Sequence, residues 1–254
     1  MRNSIMKIII YCTIHILCIA LAITSVNAQD KGTSAKRILK KMVKAHGGMK
    51  YNNAHYLFQF RDNVYRFKNS KSGYLYSVLK TRNNQQIYDQ LTNGSFTRTV
   101  NGLEIVVGDK EQQAAINALN SVVYFATLPH KLLDSAVNIS YAGDIIIKLV
   151  DYHILKVTFN KEGGGEDHDD QFMYWVRKDN SRIDYLAYNY QVNGGGVRFR
   201  SAYNTRNING ILFQDYINYK AEVGTNLAVL PTLYERNSLK ELSRIVTTQV
   251  VKLK

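Results

Sequence analysis

The sequence predicts a mostly β (α+β) fold, a large curved antiparallel sheet or half-barrel of about eleven strands with two or three helices packed on its concave side. Two observations lead to this prediction. Apolar side chains alternate with polar ones in several segments, so that Tyr56, Phe58 and Phe60 fall on one face of a strand. Asn-Gly pairs begin at 93, 101, 193 and 209, each between strand-like segments, and this dipeptide is typical of tight β-hairpins.

Three segments depart from this alternation and are predicted to be helices. The first is capped by Ser34 and ends at His46, directly before two glycines. The second begins at Asp109 and ends near Pro129, and the third is opened by Ser238. The later strands are predicted at roughly 144–150, 152–159, 171–177, 183–192, 197–203, 211–219 and 245–251.

Residues 1–28 have the pattern of a secretory signal peptide. Arg2 and Lys7 give a basic start, residues 8–23 are almost uncharged and apolar, and Val26-Asn27-Ala28 provides small residues at a cleavage site. A membrane anchor is the alternative, because the apolar stretch approaches the length of about 17 residues that a spanning helix needs. The flanking pattern favours cleavage. We therefore expect an exported protein of the periplasm or cell envelope, in which residues 29–254 form a single half-barrel-like domain.

Charge and cysteine content describe the exported chain further. The only cysteines, Cys12 and Cys18, lie in the predicted signal peptide, so no disulfide is expected in residues 29–254. Removing residues 1–28 takes away two basic residues and no acidic ones, which leaves 31 basic against 20 acidic residues, a net charge of +11. Such a charge favours an anionic membrane surface as a partner, or simply keeps the protein soluble. Export argues against nucleic acid.

An acidic, glycine-containing loop is predicted at 162–170, where five carboxylates and His168 occur within nine residues. Oxygen ligands of this kind could bind a hard cation. The spacing does not match an EF-hand, since counting from Asp167 the sixth and twelfth positions hold Phe172 and Lys178. We therefore expect a solvated hairpin loop and no metal site.

A ligand-binding rim is predicted where this loop and a second triglycine, residues 194–196, meet. In a meander the two loops emerge at the same edge of the sheet. Arg198 and Arg200 leave this rim on one face of their strand, and could bind an anionic ligand or form ion pairs with loop carboxylates. If the arginine face is the concave one, the ligand hypothesis gains support. The candidate ligand-binding residues are Glu166, Asp167, Arg198, Arg200, Gly164 and Gly195.

Patterns of established catalytic machinery are missing from the sequence. It contains no Gly-x-Ser-x-Gly elbow, no His-Glu-x-x-His helix and no phosphate-binding glycine loop, so no catalytic residue and no cofactor are predicted. His46 is interpreted as a helix C-terminal residue favoured by the helix dipole. The seventeen tyrosines of residues 29–254 could line a cleft or belong to the core.

Several ordered segments resemble a family of uncharacterised exported proteins of Gram-negative envelopes that carry a domain of unknown function. The architecture is similar to that of the outer-membrane lipoprotein carrier, which holds acyl chains in a half-barrel, and this similarity implies where a ligand would sit. The segments that carry the family resemblance are Ala45-His46-Gly47-Gly48, residues 120–126, Leu128-Pro129, Val157-Thr158-Phe159, residues 163–167, Tyr174-Trp175 and residues 196–200.

Three hypotheses for function follow. The favoured one is a protein that binds or carries an apolar or amphipathic, lipid-like molecule in a half-barrel cavity, a role that is not enzymatic. The second is an envelope hydrolase or lyase for glycan or ester substrates, with a site of carboxylates and arginines. The third is an interaction module of an envelope assembly. The sequence leaves the ligand and the oligomeric state open.

Overall fold

Two antiparallel sheets of seven strands each dominate the computed structural model, which describes residues 34–162, 170–191 and 194–254. The predicted signal peptide lies outside the described residues. The predicted fold class is confirmed, with more strands than the sequence indicated. The strands are β1 (His55–Phe60), β2 (Asn63–Ser70), β3 (Gly73–Arg82), β4 (Gln85–Thr92), β5 (Ser95–Val100), β6 (Leu103–Ile105), β7 (Val137–Ile147), β8 (Val150–Phe159), β9 (Phe172–Arg177), β10 (Ile183–Tyr190), β11 (Gly196–Ile208), β12 (Ile211–Ala221), β13 (Lys240–Ile245) and β14 (Thr247–Lys252).

The helical segments lie between and before these strands. The α-helices are α1 (34–45), α2 (Asp109–Ala126) and α3 (Leu230–Glu235), and short 3-10 helices cover Gly48–Asn53, His130–Leu133 and Leu227–Val229. Among the described residues, no helix is both long and apolar enough to cross a membrane.

Tight turns with left-handed backbone join most neighbouring strands. Asn93, Asn101 and Asn209 have φ angles of 48°, 51° and 50°, and each is followed by a glycine with positive φ, as the Asn-Gly pairs predict. The pair that begins at 193 falls partly outside the described residues. Lys148 and Leu149 form another such turn, with φ angles of 48° and 64°, which the sequence did not indicate because neither residue favours this region.

The C-terminal chain joins the two sheets. The strand orders are β14-β1-β2-β3-β4-β5-β6 and β13-β12-β11-β10-β9-β8-β7, and one residue separates β13 from β14. At the crossing, the fully buried Asp215 accepts hydrogen bonds from the Thr247 amide (3.0 Å) and from Arg206 Nη1 (2.8 Å). The strand predicted at 245–251 corresponds to β14, and an additional strand, β13, precedes it and belongs to the other sheet.

Helices α1 and α2 cover what we call the inner face of the two sheets. Ile38 and Met42 of α1 pack on the second sheet, whereas Leu119 and Val123 of α2 pack on the first. The last turn of α2 also reaches the second sheet, so this helix lies across both. Two of the predicted helices thus cover this inner face.

The third helix differs from the prediction. Helix α3 lies on the outer face of the second sheet, in a cluster with Trp175 and Phe199, and has Pro231 in its first turn. The helix predicted to start at Ser238 is wrong, because residues 240–245 pair with β12 instead. The Ser238 amide donates to the Leu233 carbonyl (2.8 Å) just after α3, so this serine follows a helix rather than opening one.

Candidate functional site

The rim of the second sheet is formed where β8, β9, β10 and β11 are connected. Phe172, the first residue of β9, pairs with Val157 near the end of β8 and with Tyr188 near the end of β10. Tyr190 pairs with Gly196 at the start of β11. The connections at 160–171 and 191–195 therefore leave the same end of the sheet, as the meander argument predicts. Glu166, Asp167 and Gly164 lie outside the described residues.

Glycines bring the second connection close to Tyr190. Gly195 has a φ of +77°, and a Cβ there would lie 3.1 Å from the Tyr190 carbonyl oxygen. A Cβ at Gly196 would come within 2.4 Å of the Tyr190 hydroxyl oxygen, closer than real side chains approach. The absence of side chains at these two positions allows the Tyr190 ring to lie over the start of β11.

Arg198 is bound to the tyrosine that these glycines accommodate. Its guanidinium carbon lies 5.0 Å from the centroid of the Tyr190 ring. Its Nη2 donates to the Tyr190 hydroxyl (2.5 Å) and its Nη1 to the Val197 carbonyl (3.0 Å). Arg198 thus has protein acceptors near the rim.

Arg200 lies two residues further from the rim on the same face and is 7% exposed. Its guanidinium carbon lies 3.8 Å from the ring centroid of Phe125 in the last turn of α2, and Nη2 donates to the Tyr188 hydroxyl (2.8 Å). Its Nε is buried and has no hydrogen-bond partner. No carboxylate of the described residues forms an ion pair with it. The neighbouring Val197 and Phe199 point to the outer-face cluster, so the arginine face is the inner one.

Aromatic side chains from α2 and the second sheet surround Arg200. Phe172 and Tyr188 are stacked with ring centroids 5.2 Å apart, and the hydroxyls of Tyr124 and Tyr174 share a hydrogen bond of 2.7 Å. Burial raises the pKa of both of these tyrosines, so they stay neutral at physiological pH. The sequence did not predict the contribution of Phe125 and Tyr124, because the position of a helix across two sheets is a tertiary property.

The N-terminal end of α2 is held by an ion-pair network on the first sheet. Asp89 is fully buried and accepts from Arg98 Nε and from Lys80 Nζ, both at 2.5 Å, while Arg98 Nη1 also donates to Glu111 in the first turn of α2. Desolvation raises the pKa of Asp89, but the hydrogen bonds from Arg98 and Lys80 outweigh it, so the net pKa is lowered.

Two cavities of the described residues lie away from the aromatic inner face. One, of about 410 Å³, is bordered by Arg37, Lys41 and Lys178, and the other, of about 310 Å³, lies beside Arg206 and β14. The space between α2 and the sheets is occupied by the side chains of two core clusters, including the fully buried Leu119 and Val123. Neither of these two cavities is the hollow that the sequence led us to expect at the inner face.

His46 has a role different from the one expected. It is buried, and its Nε2 accepts a hydrogen bond from the Ile183 amide (3.2 Å), which links the end of α1 to β10. Desolvation, assisted by the charge of Arg182, lowers its pKa to about 3. His46 does follow the last turn of α1, as predicted, but burial keeps its imidazole neutral, so attraction of a cation by the helix dipole does not explain its position.

Metal-binding side chains are not clustered in the described part of the chain, where no group of three or more His, Cys, Asp or Glu residues could hold a metal ion. The acidic segment 163–169 lies outside the described residues.

Comparison with known proteins places this geometry in a fold class. A LolA superfamily protein from Nitrosomonas europaea has a TM-score of 0.50 and 11% identity over 87% of this chain and 93% of that one. A putative outer membrane lipoprotein-sorting protein domain from Vibrio parahaemolyticus has a TM-score of 0.40 and 6% identity over 87% and 93%. A DUF1329 family protein from Desulfovibrio piger has values of 0.42 and 11% over 86% and 92%. The first of these likenesses shows a LolA-like fold.

Sequence comparison adds a family. Residues 11–247 match the model of DUF6503, described as a family of unknown function. No curated protein sequence matches this chain.

Proposed function

This chain belongs to the DUF6503 family, whose function is unknown, and from its structure we propose that it binds or carries an apolar or amphipathic molecule between α2 and the inner face of the sheets. One observation carries the proposal. Helix α2 covers aromatic side chains of both sheets, yet only two of its eighteen residues, Leu119 and Val123, are buried. A helix held this lightly can move aside, so that a lipid-like ligand takes over its apolar contacts.

The anchors of α2 support this arrangement. At one end Glu111 binds Arg98, and the Glu111 side chain is 64% exposed, so that its ion pair stabilises the helix by less than about 1 kcal/mol. At the other end Tyr124 and Phe125 pack among the aromatic residues of the second sheet. Detachment of α2 would therefore cost little at its N-terminal end, and release of Tyr124 and Phe125 at the other end would expose a continuous apolar surface.

The location that we propose is the periplasm or cell envelope, with an anionic membrane surface as a partner. The predicted signal peptide and the net charge of +11 for residues 29–254 support this location. The LolA-like fold is consistent with a carrier, although fold by itself does not specify a ligand.

The test is identification of what the native protein contains. The full chain is expressed with its own N-terminal segment in a Gram-negative host, purified from the envelope fraction without detergent, and measured by native mass spectrometry. We expect a second species heavier than the protein by the mass of a lipid. An apo mass alone, together with no binding of the uncharged probe N-phenyl-1-naphthylamine, would overturn the proposal.

Matched variants test whether the ligand binds between α2 and the sheets. Val123→Asp places a carboxylate between the helix and the sheets, and should abolish the bound mass, whereas Ala118→Asp, at an exposed position of the same helix, should retain it. Glu111→Gln should accelerate exchange of the bound probe because it removes the ion pair with Arg98, and Lys110→Gln should leave the exchange rate unchanged. Equal exchange rates in all of these proteins would argue against opening of α2.

A further inference from the structure

Arg200 is a buried cation that forms no ion pair with a carboxylate of the described residues. Its Cα neighbours across the two adjacent strands, Leu186 and Asn218, are uncharged. Tyr188, which accepts from Nη2, and Phe125, which stacks on the guanidinium group, are also neutral. Charged side chains are rarely this deeply buried unless they are paired. A stacked aromatic ring compensates only part of the cost of desolvation.

Arg200 has unused N–H donors on two adjacent nitrogens, Nε and Nη2. Its Nε is buried and lacks an acceptor, and Nη2 carries two N–H groups, of which Tyr188 accepts one. Adjacent nitrogens of a guanidinium group match the two oxygens of a carboxylate or two oxygens of a phosphate. Arg198 makes a contrast, because two of its nitrogens already donate to Tyr190 and to the Val197 carbonyl.

The tyrosines around Arg200 do not neutralise its charge at physiological pH. Tyr216 lies on the same face, and burial raises its pKa to about 12, so it is uncharged. Tyr124 and Tyr174 are neutral for the same reason. When α2 moves and the ring of Phe125 leaves, the positive charge of Arg200 would therefore attract an anionic group that takes its place.

We propose that Arg200 binds the anionic headgroup of the carried molecule, a carboxylate or a phosphate, while the acyl chain lies on the aromatic inner face. This inference rests on the proposed function and adds a ligand class to it, since it selects anionic amphiphiles over neutral ones. Phe125 covers the guanidinium group when no ligand is bound, so that the same movement of α2 opens both the apolar surface and the cation.

The experiment compares three ligands with the same sixteen-carbon chain: palmitate, 1-palmitoyl lysophosphatidate and hexadecanol. Each displaces N-phenyl-1-naphthylamine from delipidated full-length protein. We expect one or both anions to bind about 10- to 100-fold more tightly than hexadecanol, the range for hydrogen bonds to a charged group. The anion with the lower Kd distinguishes a free carboxylate from a phosphate headgroup.

The variants assign this preference to Arg200. Arg200→Met should reduce binding of the anions to the level of hexadecanol and leave hexadecanol itself unchanged, while Arg200→Lys should keep part of the preference. Arg198→Met, which removes a cation nearer the rim, should keep most of it. Equal affinities of the three ligands in the wild-type protein would overturn the headgroup site and leave the carrier proposal intact. If neither the probe nor any ligand binds, the carrier proposal itself fails.

A direct readout does not depend on the stability of the Arg200→Met variant. Palmitate labelled with ¹³C at its carboxyl carbon is titrated while bound to the wild-type protein and to Arg200→Lys. A bound carboxylate next to a buried guanidinium should protonate at lower pH than palmitate in a neutral site. A midpoint no lower than that of palmitate bound to a carrier without a cation would refute the contact.

Discussion

Protonation of His46 should couple the stability of the protein to pH. The side chain is buried between α1 and β10, and its pKa is lowered to about 3 from 6.5. Below pH 6.5 the unfolded state therefore binds a proton at His46, whereas the folded state does not bind it until the pH approaches 3. The resulting stabilisation is complete above this pH and is lost as the pH falls towards 3.

The magnitude follows from the two pKa values. Between pH 7 and pH 5, proton uptake by the unfolded state lowers the free energy of unfolding by about 2 kcal/mol, at about 1.4 kcal/mol per pH unit below the unfolded pKa. Carboxylates contribute little in this interval because their unfolded pKa values lie near 4.

The assay is urea denaturation at both pH values for the wild-type protein, His46→Gln and His153→Asn. The variant His46→Gln should lose about 2 kcal/mol less than the wild type between pH 7 and pH 5, whatever its stability at pH 7. His153→Asn, which removes a partly exposed histidine, shows whether the change in pH dependence is specific to His46. An identical pH dependence in wild type and His46→Gln would refute the assignment of a buried, neutral imidazole.

Two further predictions concern the network under α2 and the glycines at the rim. Replacing Arg98 by Met leaves the buried Asp89 with Lys80 as its remaining cation, and should destabilise the protein by about 3 kcal/mol in urea denaturation, against less than about 1 kcal/mol for Arg244→Met in an exposed pair. Replacing Gly196 by Ala should cost about 1–3 kcal/mol because its Cβ meets the Tyr190 ring, whereas Gly108→Ala, with open space around it at the N-cap of α2, should cost less than about 1 kcal/mol. Most of the cost at Gly196 should disappear in a Tyr190→Ala background, and a cost that persists there would place the strain elsewhere.

Local chemistry explains which parts of the fold the sequence could predict. The hairpins at Asn93, Asn101 and Asn209 follow from the φ angles that Asn and Gly tolerate, so neighbouring residues suffice to predict them. The division of the C-terminal segment into β13 and β14 depends on pairing with β12 and β1, which are distant in the sequence. No pattern within 240–252 indicates that the two halves serve different sheets.

The candidate site, like the fold, could be predicted from the sequence only in part. Alternation along β11 correctly puts Arg198 and Arg200 on one face. It could not tell which face α2 covers, because both faces of the second sheet are apolar and packed. The stacking of Phe125 on Arg200 joins α2 to β11 across 75 residues of chain, and nothing in either segment indicates it.

The pairing of β1 with β14 has a consequence for the order in which the molecule is assembled. The His55 carbonyl accepts from the Leu253 amide (2.7 Å), so β1 obtains its outer neighbour from β14, a strand far along the chain. Contacts between such distant segments form slowly, since a long loop must close before they contribute any stability. The first sheet is completed only when this distant pairing has formed, and until that moment the edge of β1 is open to other partners.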